Sequence, residues 1–364
     1  MALAEAQRGR IVELDGLRGL AILLVVGFHY FGRFTAERGV PLYPYGDRFA
    51  SWPIASDGRV GVFLFFIISG FVISYSLARS RSTLHFLAKR ADRLVLPMLV
   101  LSSITFVLLA GPLQTPFLAV RWADFLPSWT FTAPGLWRWV DPQVNYIDTA
   151  YWTLFVEIRF YLLAGLLWFL APRRHVPNIL VALACGGFLA LLLFVAAGWR
   201  YPQSLVEVFL FPQYLPLFVC GWFYADLRRD PTHAAAWRRL WLLIPLSLAG
   251  VASKFNGQWS QLLWLLAFHL IFIALVQGRP WVTILRTRLL AGLGLVSYSL
   301  YLIHQYVGVA LISRLPTQWS LSAQLAGVAV ITFVMVAIAC LSWRLLEHRH
   351  PFTARNRPIT SFGV

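Results

Sequence analysis

Long apolar segments recur along the whole chain, and short polar segments separate them. A window of about 20 residues, the length of a helix that crosses a bilayer, finds ten candidate spans. They cover 13–34, 58–79, 93–111, 149–171, 177–197, 205–227, 238–253, 259–277, 288–311 and 322–345. This pattern predicts an all-α protein, a polytopic membrane helix bundle of about ten transmembrane helices.

The composition supports this class. The chain is 59% hydrophobic and 13% charged, whereas soluble domains contain about 25% charged residues. We predict a single transmembrane domain over 1–357 and a C-terminal tail over 358–364. The first apolar stretch is too long for a signal peptide and no small-residue cleavage site follows it, so we expect it to remain in the protein.

Basic residues alternate between abundant and scarce in successive loops. With a cytoplasmic N-terminus, twenty Lys and Arg residues fall on the cytoplasmic side and nine on the other. The positive-inside rule therefore predicts that both termini are cytoplasmic. The net charge of +16 does not indicate nucleic-acid binding, because the basic residues form no continuous patch.

An arginine and a histidine interrupt the first span, eleven positions apart. At about 100° per residue, Arg18 and His29 fall on nearly the same helix face, with a rise of roughly 16 Å between them. An arginine inside a membrane helix costs about 2.5–3.5 kcal/mol on insertion scales, so such residues usually have a function. Alternatively, Arg18 reaches the cytoplasmic surface and pairs with Asp15, and His29 is a hydrogen-bonded core residue.

The fourth and ninth spans also contain titratable residues. By rise per residue, Glu157 lies about 12 Å below the outer surface, and His304 and His29 each lie about 24 Å above the cytoplasmic end. In a core of roughly 30 Å, the three share the outer half of the membrane. This common depth permits one site with two histidines and a carboxylate, which suits removal of a proton from a hydroxyl. Alternatively, Glu157 neutralises Arg159, and His304 is a core residue.

Other polar and aromatic residues fit two interpretations each. Arg18, Arg90 and Arg93 gather at the cytoplasmic level, where they could hold phosphates; Arg90 and Arg93 could equally be topology signals. The outer segment 112–148 contains tryptophans that could stack on a sugar or form an aromatic belt: Trp122, Trp129, Trp137 and Trp139. We expect no metal site, and we interpret the cysteines as core residues without a CxxC pair: Cys185, Cys220 and Cys340.

Several short motifs follow one another along these spans. They are Arg18-x10-His29 within LDGLRGLAILLVVGFHY, GVFLFFIISGFVIS at 61–74, RADR at 90–93, YWTLFVEIRFYLL at 151–163, SYSLYLIHQYV at 297–307 and, more loosely, LLEHRHPF around Glu347. In this order they resemble the acyltransferase-3 family of bacterial integral-membrane acyltransferases, over about 11–352. Arg159 departs from the Glu or Gln that is more usual in the fourth motif and could reflect a different acceptor.

The resemblance implies a membrane O-acyltransferase of the bacterial inner (cytoplasmic) membrane. It would move an acyl group, with acetyl expected, from a cytoplasmic donor to a hydroxyl of a glycan, exopolysaccharide or glycoside. Acetyl-CoA or another acyl-CoA would be a donor substrate, with no permanently bound cofactor. The other expected partners are membrane lipid and an acceptor that is free or lipid-linked. Buried charges alone would also suit an ion-coupled transporter, or a non-catalytic subunit of a polysaccharide assembly machine.

The resemblance also implies site residues. His29 would be catalytic, as a general base or a covalent relay, and Glu157 would orient or charge-balance its imidazole. Arg18, Arg90 and Arg93 would bind the donor. Ser69, together with Gly70, could instead allow close helix packing. The further candidates in the same motifs are Asp15, Ser69, Trp152, Arg159, Tyr298, His304 and Glu347.

Overall fold

The computed structural model of the chain describes residues 11–254 and 258–347. These residues form helices and connecting turns and contain no β-strand. We number the helices of ten or more residues in chain order: α1 (Val12–Phe31), α2 (Gly61–Ala78), α3 (Thr83–Ala110), α4 (Trp152–Leu170), α5 (Val176–Ala196), α6 (Arg200–Phe209), α7 (Leu215–Arg229), α8 (Ala234–Lys254), α9 (Trp259–Val276), α10 (Arg288–Ile312) and α11 (Leu321–Ser342).

A helix occupies each predicted span, so the all-α membrane bundle is confirmed. In the part of the chain that the structure describes, eight segments are long and apolar enough to cross a membrane. The span predicted at 205–227 is divided into α6 and α7, because Phe211 adopts a φ of 35° and Pro212 cannot donate a helical hydrogen bond. Both chain ends, the predicted tail and the end of the closing motif lie outside the described residues, so the sidedness of the termini stays a prediction.

The third helix begins earlier than predicted. α3 starts at Thr83 rather than near Arg93, and the Ser82 hydroxyl caps it by accepting a hydrogen bond from the His85 N–H at 3.1 Å. Charged residues in the first turns lower the local hydropathy, which hides the start of the helix from a hydropathy window. Arg90 and Arg93 therefore project from a helix and not from a loop.

Helices α1 and α10 approach each other at backbone distance. A Cβ atom at Gly294 would lie 1.8 Å from the Asp15 carbonyl oxygen, and a Cβ at Gly19 would lie 2.1 Å from that of Leu290. Glycine is therefore required at both positions. Farther along, the Tyr30 hydroxyl donates to the His304 carbonyl oxygen at 3.0 Å. From the Gly19–Leu290 contact to the Tyr30–His304 contact both helices advance in chain direction, by 11 and 14 residues, so the two helices run parallel, and this alignment brings His29 beside His304.

Candidate active site

A cavity of 430 Å³ lies where α1 ends and α2 and α4 begin, beside α10. We call it the outer cavity, after the side on which the topology prediction places it. His29 lines it, half-buried, near the end of α1. Two tyrosines from the following loop fix this end of the helix, since Tyr43 donates to the His29 carbonyl oxygen and Tyr45 to that of Tyr30. The remaining polar and aromatic lining residues include Arg33, Arg38, Arg59, Thr149, Trp152, Gln258, Tyr301 and Gln305.

The two predicted histidines are in direct contact. Nδ1 of His29 lies 2.9 Å from Nε2 of His304, and His304 is fully buried. Nδ1 of His304 lies 3.1 Å and 3.0 Å from the carbonyl oxygens of Leu300 and Tyr301. Carbonyl oxygens only accept, so in the neutral pair Nδ1 of His304 carries the proton and its Nε2 accepts from Nδ1–H of His29. This assignment leaves Nε2 of His29 with a free lone pair.

A narrower middle cavity of 70 Å³ contains Glu157. The Ser69 and Tyr161 hydroxyls both donate to Glu157 Oε1. The structure therefore corrects the expectation that Glu157 orients the His29 imidazole, because the partner of that imidazole is His304. The other polar residues that line this cavity are Arg18, Arg93, Thr153, Ser297, Tyr298 and Tyr301.

A third cavity, of 300 Å³, lies at the other end of α1. We call it the cytoplasmic cavity, after the side on which the topology prediction places it. Arg18, Lys89 and Arg93 line it, and donor binding by the two arginines stays a prediction. Arg18 also lies 3.6 Å from Asp15, so the ion pair considered as an alternative is present as well. Arg90 is not among the lining residues; its guanidinium donates to the Ser76 hydroxyl at 2.9 Å. The acidic lining residues are Asp15, Asp92 and Glu347.

The three cavities adjoin one another along α1. Arg18 and Arg93 line both the cytoplasmic and the middle cavity, and Val62 and Tyr301 line both the middle and the outer cavity. The series therefore runs from the arginine of the first span to its histidine. Two arginines and a lysine lie at one end of this series of cavities, and the His29 imidazole lies at the other.

Arg159 lies on a different side of α4 from Glu157. Its guanidinium donates to the carbonyl oxygens of Glu207 and Val208 at 2.9 Å and 2.6 Å, at the end of α6. Phe155 and Phe211 stack on it. The alternative in which Glu157 neutralises Arg159 is therefore wrong, and Arg159 instead holds the break between α6 and α7 in place.

The remaining candidates have mainly structural contacts. Tyr298 donates to the Leu94 carbonyl oxygen at 2.8 Å, which ties α10 to α3. Ser299 donates to Glu347 at 2.7 Å. Trp152 lines the outer cavity and also a fourth cavity of 630 Å³ beside Arg159. In the outer segment, Trp122 and Trp139 are 66% and 80% exposed, and none of its four tryptophans lines these four cavities. All three cysteines are free thiols.

Sequence reasoning missed several residues of these cavities. Lys89 was not a candidate because the third span was predicted to begin only at residue 93, which places Lys89 in a loop. The basic residues of the predicted outer loops indicate only the topology when the sequence is considered alone. In the structure, three of the nine line the cavity that contains His29. Tyr161 belongs to the fourth motif and was available from it, one helical turn after Glu157.

The chain is similar to known membrane acyltransferases. The acyltransferase domain family matches residues 11–344. A Komagataeibacter xylinus protein named as a membrane-bound transacylase, BcsY, is 27% identical over 371 residues, which cover 96% of this chain and 87% of the relative. The O-acetyl transferase of Shigella phage Sf6 is 26% identical over 361 residues, with 94% and 96% covered. No solved structure matches the chain. The chain therefore belongs to the acyltransferase-3 family and is a multi-pass membrane acyltransferase.

Proposed function

We propose that this protein, in the bacterial inner membrane, transfers an acetyl group from acetyl-CoA to a hydroxyl of a glycan or glycoside. The observation that carries the proposal is the hydrogen-bonded series from the Leu300 and Tyr301 carbonyls through His304 to His29. It leaves Nε2 of His29 with a free lone pair, in a cavity that adjoins the middle cavity and, through it, the cationic cytoplasmic cavity. The name of the phage relative, an O-acetyl transferase, supports acetyl as the acyl group.

The cytoplasmic cavity suits the phosphates of coenzyme A. Arg18, Lys89 and Arg93 supply cations there, and arginine binds phosphate in a bidentate manner. The pantetheine arm has about as many main-chain atoms as four peptide residues, so it extends roughly 14 Å. The rise from Arg18 to His29 is about 16 Å. A nucleotide held by the arginines therefore places its thioester close to the imidazole.

His29 acts as the general base in this proposal. Its Nε2 takes the proton of the acceptor hydroxyl while the hydroxyl oxygen bonds to the thioester carbonyl carbon. When the tetrahedral intermediate collapses, the carbon–sulfur bond breaks and the thiolate of CoA takes the proton from Nε2. In between, His29 is a cation, and His304 stabilises it by accepting the hydrogen bond from Nδ1.

The test is release of CoA thiol from acetyl-CoA by the detergent-purified protein, for the wild type and the His29→Ala variant. We expect the variant to lose turnover and to keep its melting temperature and acetyl-CoA affinity. His175→Gln is the matched control, because His175 is exposed in the turn before α5. Near-normal turnover by His29→Ala would exclude the base. Radiolabelled acetyl retained on the wild type without acceptor would instead assign His29 the role of covalent relay.

A further inference from the structure

Three arginines surround the outer cavity together with His29. Arg33 follows the end of α1, Arg38 ends a short 3-10 turn at Ala36–Arg38, and Arg59 lies in the turn before α2. Two of them come from the loop after α1 and the third from the turn before α2, and all three line one volume of 430 Å³. Outer loops of membrane proteins are usually poor in Lys and Arg. Their convergence therefore needs an explanation other than topology.

The charge of this cluster is only partly compensated. Among residues 11–254 and 258–347, no carboxylate forms an ion pair with Arg33 or Arg38. The Arg38 guanidinium donates to the Ser56 carbonyl oxygen at 3.3 Å and lies over the Phe28 ring at 5.0 Å. Burial and the neighbouring Arg33 charge lower the pKa of Arg38, although Glu37 and Asp57 oppose this effect. Most of the N–H donors of the two arginines remain available to a ligand.

Polar and aromatic neighbours complete a site for a sugar. Thr149 and Gln305 line the cavity and are joined by a hydrogen bond of 2.8 Å. The Trp152 ring forms part of the wall, and a flat aromatic ring can stack on the apolar face of a sugar. The hydroxyl to be acetylated must lie at His29, so a group bound by the arginines lies outward of the reacting hydroxyl.

From this arrangement we propose that the acceptor is an anionic glycan, whose phosphate or carboxylate is bound by Arg33, Arg38 and Arg59. This inference rests on the proposed function, because it places the acceptor hydroxyl at His29. Guanidinium groups bind both anions through paired N–H donors, so the shared chemistry is an oxyanion close to the acetylated hydroxyl.

Three matched probes test the charge preference: glucose, glucuronate and glucose 1-phosphate. Binding to the purified protein is followed by tryptophan fluorescence at constant ionic strength, which keeps screening equal. We expect at least one anionic probe to bind ten or more times more tightly than glucose. The double variant Arg33→Gln/Arg38→Gln should remove that preference and leave the affinities for glucose and acetyl-CoA unchanged.

Two further variants serve as controls. Arg33→Lys/Arg38→Lys keeps the charge and should keep most of the preference, which separates loss of charge from misfolding. Arg48 is exposed on the same loop and outside the cavity lining, so Arg48→Gln should bind the probes as the wild type does. The comparison of glucuronate with glucose 1-phosphate identifies whether the site prefers a carboxylate or a phosphate.

Equal affinity of the wild type for all three probes would overturn the proposal. So would a preference that survives Arg33→Gln/Arg38→Gln, because the anion would then bind elsewhere. Acetyl transfer to the same probes is measured in parallel. An anionic preference without any release of CoA would count against the proposed acetyl transfer and leave the anion site standing. CoA release with no preference for an anionic probe would support the proposed acetyl transfer and overturn the anion site.

Discussion

His304 provides a sharp test of the proposed chemistry, because its ring contacts Nδ1 of His29, the proposed base. Replacing it by phenylalanine keeps a planar ring at a fully buried position and removes both ring nitrogens. In the wild type, Nε2 of His304 accepts the hydrogen bond from Nδ1 of His29 at 2.9 Å. In His304→Phe this donor faces a ring edge, and the His29 cation of the proposed reaction loses that partner.

The size of the effect follows from the difference between two hydrogen bonds. A hydrogen bond to a charged group contributes about 1.5–3 kcal/mol and a neutral one about 0.5–1.5, so the barrier rises by roughly 1–2 kcal/mol. This corresponds to about a 5- to 30-fold loss of rate. In addition, the His29 proton is no longer fixed on Nδ1, and the tautomer protonated on Nε2 cannot act as a base. From these two effects combined, we expect kcat to fall about 10- to 100-fold.

The assay is the initial rate of CoA release at saturating acetyl-CoA, with the pH profile recorded for each variant. His304→Gln should recover part of the rate, because its amide oxygen can accept from Nδ1 of His29. The KM for acetyl-CoA should stay constant, since His304 does not line the cytoplasmic cavity. A wild-type rate for His304→Phe would refute the tautomer assignment. Complete inactivity of both variants would transfer the role of base to His304 itself.

Three further predictions concern the rest of the proposed site. Arg93→Gln should raise the KM for acetyl-CoA about 10- to 150-fold by loss of a charged phosphate contact. It should leave the KM for acetyl-pantetheine unchanged, and Arg90→Gln should have a smaller effect on the KM for acetyl-CoA; equal effects on both donors would indicate a folding defect. Glu157→Gln should lower kcat without moving the pH profile of the base, because Glu157 contacts hydroxyls and not His29; a shifted profile would restore its link to the imidazole. Gly294→Ala should lower the melting temperature in detergent, since its Cβ would lie 1.8 Å from the Asp15 carbonyl oxygen. Gly292→Ala should leave the melting temperature unchanged, because there is open space around that position. Equal losses of melting temperature in both variants would refute the close-packing argument.

The positions of the helices followed from the sequence because a bilayer requires long apolar segments whose backbone groups bond internally. The break between α6 and α7 was missed, since apolar side chains continue through it. Its signal was present in Pro212, which lies in the turn, and in Pro216, which lies in the first turn of α7. The early start of α3 was also available, from the Ser82 cap. Hydropathy therefore located the helices better than it located their ends.

The site was predictable in depth and not in direction around each helix. Rise per residue placed His29, His304 and Glu157 at similar levels, but it cannot decide which neighbour a side chain faces. His29 meets His304 because Gly19 and Gly294 let α1 and α10 approach closely. Glu157 instead meets hydroxyls from α2 and from its own helix. Such contacts depend on the packing of helices distant in sequence, which one sequence does not reveal.

The narrow middle cavity limits which part of the donor can reach His29. Its volume of 70 Å³ holds a few water-sized groups, which suits an extended pantetheine arm and excludes a nucleotide. In our proposal the phosphates therefore stay with Arg18 and Arg93, which avoids the cost of moving anions into the membrane core. If an anionic acceptor is held by the outer arginines, its charge also stays in the outer cavity and does not enter the membrane core. Only the uncharged acetyl group then crosses between the two ends, so in our proposal the transfer needs no ion gradient and should proceed in detergent micelles.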